Sequence, residues 1–98
     1  METKVQLENN VAILQPMERI DFVSAPDFEK AIEENAGKAE SMVLDMANVD
    51  YISSAGLRAI LFADNLMSGK KGMSLRNVNA AVREILDISG FSNELKIE

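Results

Sequence analysis

The sequence contains neither histidine nor cysteine, and these two absences remove most of the chemistry open to a small protein. Without them there is no Ser-His or Cys-His nucleophile pair, no thiolate and no ordinary zinc or haem site. No disulfide can staple the chain, which fits a reducing compartment. No apolar run approaches the roughly 20 residues that span a bilayer. The opening Met1-Glu2-Thr3-Lys4 does not begin a basic and then apolar leader. Cations are scarce as well: 10 Lys and Arg stand against 16 Asp and Glu, a net charge of -6. That balance argues against phosphate-backbone binding and against adsorption to anionic lipid. The expectation is a cytoplasmic protein that engages neither nucleic acid nor membrane and holds neither metal nor cofactor.

What is present suits one compact unit. A chain of 98 residues with 47% hydrophobic and 27% charged side chains is expected to form a single domain over residues 1–98. The charge is uneven: residues 1–50 carry eleven acidic and four basic side chains, residues 51–98 five and six. Much of the acidic excess falls between Glu18 and Glu40, where a solvated helix face accounts for it.

Val5-Gln6-Leu7 and Val11-Ala12-Ile13-Leu14 read as strands, joined by a turn at Glu8-Asn9-Asn10 because Asn tolerates left-handed geometry. Ser24-Ala25-Pro26-Asp27 opens a helix, with Ser24 as the expected cap, and Phe28, Ala31, Ile32 and Ala36 recur at helical spacing up to Gly37. Ser41–Asp45 reads as a buried strand, followed by a loop through Asn48, Val49 and Asp50. A helix then runs from Ser54 to about Ser68-Gly69, and Lys70-Lys71-Gly72 turns the chain into a strand at Met73–Arg76. Asn79 caps a further helix carrying Val82, Ile85, Leu86 and Ile88, closed by Ser89-Gly90; Leu95-Lys96-Ile97 makes a last short strand. Strands alternating with helices predict an α/β fold with parallel pairing through helical crossovers.

At 100° per residue, the Ser54 helix gathers Ala59, Ile60, Phe62, Ala63, Leu66 and Met67 on one core face. Ser54, Arg58, Asn65 and Ser68 fall opposite, and Leu57 and Leu61 land within that polar arc. Two leucines beside an exposed serine form either a small docking patch or a seat for a neighbouring helix. Ser54 itself has two readings. It caps the helix, or its hydroxyl takes a phosphoryl group at a site where backbone N–H groups and the helix dipole favour an anion. In the second case about −1.5 to −2 charges arrive without unfolding the helix. With Asp21, Asp45 or Asp50 nearby, they would repel an acidic partner surface.

Val43-Leu44-Asp45, followed by Val49-Asp50-Tyr51-Ile52-Ser53-Ser54-Ala55-Gly56-Leu57-Arg58, resembles the signature of STAS domains, the anti-sigma factor antagonist family. Glu18-Arg19-Ile20-Asp21 resembles the family's loop before the first helix, usually Gly-x-Leu-Asp, and Val82-x-x-Ile85-Leu86 with Ser89-Gly90-Phe91 resembles its closing helix and turn. The resemblance implies a mixed β-sheet flanked by helices on one side. It also implies partner switching. The unphosphorylated antagonist binds an anti-sigma factor, commonly itself a serine kinase, and so frees a sigma factor; phosphorylation weakens the complex and a serine phosphatase resets it. On this resemblance Ser54 is the phosphoacceptor. Asp21, Ser53, Gly56, Leu57, Arg58 and Leu61 belong to the partner-binding surface. Two positions depart from the pattern: Ser53 replaces the usual Asp before the acceptor and is a competing hydroxyl, and Glu18 replaces the usual Gly.

Two rival functions remain. Asp45 and Asp50 could hold Mg²⁺ at a strand end, but no base, nucleophile or phosphate cradle accompanies them, and Ser68-Gly69-Lys70-Lys71-Gly72 lacks P-loop spacing. The chain is therefore expected not to be an enzyme. The other rival is a non-catalytic STAS scaffold subunit of a larger signalling or transport assembly.

Overall fold

The computed structural model describes residues 3–98. Strands β1 (Thr3–Glu8) and β2 (Val11–Pro16) form an antiparallel hairpin, with Asn9 and Asn10 at φ 50° and 66°. Both turn residues are thus left-handed, the geometry that a two-residue turn between twisted strands requires. Strand β3 (Glu18–Ile20) and helix α1 (Ala25–Ala36) follow, then β4 (Ser41–Asp45), β5 (Val49–Ile52) and α2 (Ser54–Met67). The chain closes with β6 (Met73–Arg76), α3 (Ala80–Ile88) and β7 (Lys96–Ile97). The main sheet has the order β1-β2-β4-β6-β7, antiparallel at the hairpin and parallel elsewhere. This is the expected mixed sheet.

Leu14, Leu44 and Leu75 stand in the central strands, fully buried with Phe28 and Ile32 of α1 and Ile60 and Met67 of α2. Alternation puts Ile13 and Val43 on the other face, where they are half-buried. Of the expected core face of α2, Ala59, Ile60, Ala63 and Met67 are buried, whereas Phe62 and Leu66 are only half-buried.

Two sequence expectations about the elements are corrected. The segments read as loops at Glu18–Ile20 and Val49–Asp50 are strands, pairing in parallel as a separate two-stranded sheet. Each is too short to show a period of two. Ser24 precedes α1 but does not cap it. Asp21 Oδ1 accepts the N–H groups of Val23 and Ser24 at 3.0 and 3.1 Å, while Ser24 Oγ accepts the Asp21 N–H at 3.0 Å. That is a reciprocal capping box shifted three residues upstream. In α3, Ile88 is 79% exposed. Two residues beyond Leu86 it is rotated by about 200°, away from the face that Val82, Ile85 and Leu86 share.

The C-terminus of α1 carries no basic residue in its last turn. Lys70, from the loop after α2, supplies one, donating from Nζ to Ala36 O and Ala39 O at 2.6 and 2.9 Å. A cation there satisfies orphan carbonyls and opposes the negative end of the dipole.

Asp45 closes β4 and joins it to β6. Its Oδ1 accepts from Asn77 Nδ2 at 3.0 Å and from the Ala47 N–H at 3.1 Å; its Oδ2 accepts from an Arg76 Nη at 3.1 Å. Burial disfavours this carboxylate, but Asn77, Ala47 and Arg76 together outweigh it and hold the pKa below the ordinary Asp value. The unfolded chain therefore takes up this proton first. The stabilisation is complete above the unfolded pKa near 3.9 and is lost as pH falls through the lower folded value. We expect Asp45→Asn to cost about 1–3 kcal/mol at neutral pH. Between about pH 5 and pH 2 its Tm should fall less steeply than that of the unsubstituted chain. Thermal unfolding followed across that range checks both.

Candidate functional site

Strands β3 and β5 end side by side, with Ile20 opposite Ile52 in the parallel register. The chain leaving β5 donates the Ser53 N–H to Ile20 O at 2.9 Å. Asp21 and Ser53, each the next residue after a paired strand end, are thereby brought together. Helix α2 starts directly on this junction. A Cβ on Gly56 would lie 2.5 Å from Ile20 O and 3.0 Å from Ile20 Cβ, so only glycine lets the first turn of α2 press against the β3 backbone.

The two serines divide the work at the helix start. Ser53 is the cap: its backbone is extended (φ -94°, ψ -178°), its Oγ accepts the Gly56 N–H at 3.4 Å, and its carbonyl accepts the Leu57 N–H at 2.9 Å. Ser54 is the first helical residue and exposed, and its side chain makes no hydrogen bond among the described residues. The capping reading of Ser54 is thus taken over by its neighbour. The Ser53 oxygen is engaged, and the Ser54 hydroxyl is unengaged at the positive end of the α2 dipole.

Asp21 is held as an anion. The N–H of Ser24 contributes most to a pKa below the ordinary Asp value, against some desolvation, with Val23, the Ser24 hydroxyl and Arg19 adding to it. Arg19 Nε lies 3.4 Å from Asp21 Oδ2, and its guanidinium sits 4.9 Å from the centre of the Tyr51 ring opposite it in β5. Arg19 therefore bridges the acidic loop and the aromatic edge of the site. Glu18, where the family pattern has glycine, adopts φ 66°, and the β3–β5 register shifts just after it. The departure in sequence leaves the left-handed backbone in place at a steric cost.

Ser54 lines an apolar hollow, and a second, more mixed hollow that includes Glu29 and Arg58 starts at the next residue, Ala55. A hollow of about 310 Å³ lies between the start of α2 and α3, lined by Tyr51, Ser54, Leu57, Ile85 and Ile88 among others. A smaller one, about 190 Å³, is lined by Phe22, Ala25, Ala55 and Arg58 on the α1 side. Phe22 and Val23 are 78% and 76% exposed. Sequence reading missed Phe22, Val23, Tyr51 and Ile88. The signal for the first two was an apolar pair directly after Asp21, where no strand or helix pattern calls for one. Leu57 and Leu61 are both half-buried against the core; Leu57 also opens onto the larger hollow. Arg58 is exposed one turn after Ser54. Asp45 and Asp50, weighed as a metal pair, differ in setting: both Asp45 oxygens are occupied, and Asp50 is exposed.

The STAS domain family model matches residues 2–98. The chain belongs to the STAS domain family. Among relatives, BtrV of Bordetella bronchiseptica, a candidate anti-sigma factor antagonist, is 35% identical over 83 residues, 83% of this chain and 70% of BtrV. The crystal structure of an anti-sigma factor antagonist from Mycobacterium paratuberculosis superposes with a TM-score of 0.89 at 22% identity, covering 98% of this chain and 83% of that one. The phosphorylated form of the Bacillus cell fate determinant SpoIIAA gives 0.75 at 12% identity, covering 99% and 91%. These structural likenesses establish the STAS fold. Among the described residues no helix is long and apolar enough to cross a membrane.

Substitutions at two backbone-determined positions of this STAS domain should act in opposite directions. Gly56→Ala gains about 1 kcal/mol of helix propensity but drives a Cβ into a backbone oxygen, for a net loss of about 2–4 kcal/mol. Glu18→Gly relieves the left-handed strain and should stabilise by about 0.5–1 kcal/mol. Urea midpoints for both variants, at unchanged m, check this.

Proposed function

We propose that this chain is an anti-sigma factor antagonist that works by partner switching, with Ser54 as the phosphoacceptor. The observation that carries the reading is the pair of serines: Ser53 caps α2, which leaves the Ser54 hydroxyl exposed and unengaged at the rim of an apolar hollow. The resemblance of the signature around it and the name of the relative BtrV support the same role.

Unphosphorylated, the surface of Phe22, Tyr51, Leu57 and Ile88 around Ser54 docks the anti-sigma factor by excluding water, and a sigma factor is freed. Asp21, Ser53, Gly56, Arg58 and Leu61 shape or support that surface. The partner is also the kinase. The Ser54 oxygen attacks the γ-phosphorus of its ATP, ADP departs, and the hydroxyl proton passes to a base of the partner. The antagonist needs no catalytic group of its own. The phosphate fits the α2 N-terminus, so the fold persists. Its charge adds to Asp21 and Asp50 and wets a surface that binds only when dry. A serine phosphatase restores the hydroxyl by hydrolysis. The reading implies a cytoplasmic protein with neither nucleic acid nor membrane among its partners.

Incubation with the cognate kinase and ATP, followed by mass spectrometry, should find one phosphate, on Ser54. Ser54→Ala should take up none and remain bound, and Ser54→Asp should bind at least about ten-fold more weakly with little change in Tm. Ser53→Ala should still be phosphorylated, at a cost of about 1 kcal/mol in stability for the lost cap. Phosphate uptake and release by Ser54→Ala equal to the unsubstituted protein would refute the switch. Binding that responds to no phosphate at all would favour a scaffold role in a larger assembly.

A further inference from the structure

Strand β1 carries a surface that the partner-switching site does not use. It is an outer strand of the main sheet: β2 pairs one side of it, and no described strand pairs the other. All residues from Lys4 to Glu8 are exposed. The register with β2 runs without a shift over six residue pairs, so no bulge blunts the edge, and β1 contains no proline. The opposite edge of the sheet, β7, is only two residues long. An extended, regular and open strand edge is a template for a further strand.

The sequence of β1 says which strand fits. Val5 and Leu7 stand opposite Leu14 and Ala12 in β2, both fully buried, so they continue the helix-bearing face of the sheet. Yet they remain 44% and 50% exposed. Lys4, Gln6 and Glu8 point to the other face by alternation. Laid antiparallel against a second copy of itself and centred on Gln6, the strand places Lys4 opposite Glu8 of the second copy and Val5 opposite its Leu7. Gln6 meets its own equivalent on the two-fold axis. Every pair joins residues of the same face, as an antiparallel ladder requires. Each charge meets its opposite and each apolar side chain meets another. A lysine alone on an edge strand is a common device against such pairing; the glutamate at the mirrored position reverses its effect.

We propose that two copies of this chain associate through β1, antiparallel and centred on Gln6, joining their five-stranded sheets into one continuous sheet. The interface is isologous and closes as a two-fold dimer, so it does not propagate into a fibre. One strand pair buries little area, and the association should be weak, with Kd between about 1 µM and 1 mM. None of the residues from Lys4 to Glu8 lines either hollow beside Ser54. The inference therefore stands or falls independently of the partner-switching reading.

Sedimentation equilibrium of the full chain over a concentration series, near physiological ionic strength, tests it. The expected result is a monomer–dimer equilibrium. Lys4→Glu alone sets two carboxylates opposite each other, and Glu8→Lys alone sets two ammonium groups opposite each other. The two-fold axis doubles each change, so either variant should weaken the dimer by about ten-fold or more. The double variant Lys4→Glu/Glu8→Lys recreates the pairs with signs exchanged and should return to within about three-fold of the starting Kd. Both substitutions lie on exposed positions, and unchanged Tm values in all three variants show that the fold is intact. A chain that stays monomeric up to about 1 mM overturns the proposal. So does a dimer indifferent to the single swaps, or one that the double swap fails to restore.

Discussion

The close approach of Gly56 to the backbone of Ile20 is the constraint on which the site depends. Strand β3 has three residues and β5 four, far fewer than a free-standing pair of strands needs. What holds them is the helix that follows. The first turn of α2 lies where any Cβ would collide with Ile20 O, and Ser53 donates to that same carbonyl. One peptide group of β3 thus supports both the exit of β5 and the start of α2. Asp21 comes directly after it, and Ser54 stands one residue past Ser53. The geometry around Ser54 is set by backbone contacts.

This arrangement separates two demands that conflict at many helix starts. The first turn of a helix leaves N–H groups that need an acceptor, and a serine that supplies one has its hydroxyl engaged. Two adjacent serines resolve the conflict, one as acceptor for Gly56 and one exposed. The same separation appears in the acidic loop. Asp21 spends its Oδ1 on the start of α1 and its Oδ2 on Arg19, so its charge is fixed in position rather than free to swing toward Ser54. Arg19, shared with Tyr51, ties that charge to the aromatic edge. The hollow that Ser54 lines is bounded by the start of α2, by Tyr51 of β5 and by Ile85 and Ile88 of α3, so each wall comes from a different element.

Much of this was legible in the sequence because it rests on local signals. The Asn9-Asn10 turn, the helices at Ala25, Ser54 and Ala80, and the cap at Asn79 all follow from residue preferences within a few positions, whereas the cap of α2 falls on Ser53 and not on Ser54. The β3–β5 pair was not legible, since strands of three and four residues carry no periodicity, and their partners lie about thirty residues apart. The cap of α1 was misread for a related reason. Ser24 and Asp21 are both good capping residues, and only the tertiary contact that fixes Asp21 at the end of β3 decides between them. Lys70 on the α1 carbonyls is likewise a contact over 34 residues. The exposed Phe22-Val23 pair was visible in the sequence but looked like ordinary loop content until the fold set it beside Ala55 and Arg58.

The absence of histidine and cysteine acquires a physical meaning at this surface. With neither residue present, no side-chain type in the chain has an ordinary pKa between about 5 and 8. Asp21 and Asp45 are held below the usual Asp value, which moves them further from that range. On the proposed reading, protonation of a side chain is therefore a poor switch for the surface around Ser54 near neutral pH. Covalent modification, as proposed for Ser54, is free of that limit. A phosphate on Ser54 brings a second ionisation near pH 6, and the positive end of the α2 dipole favours its more charged form. On the proposed reading the modified surface would then carry close to two negative charges at neutral pH. On the proposed reading, the surface around Ser54 answers to a kinase and a phosphatase rather than to the proton, which is what a chain without histidine and cysteine leaves available.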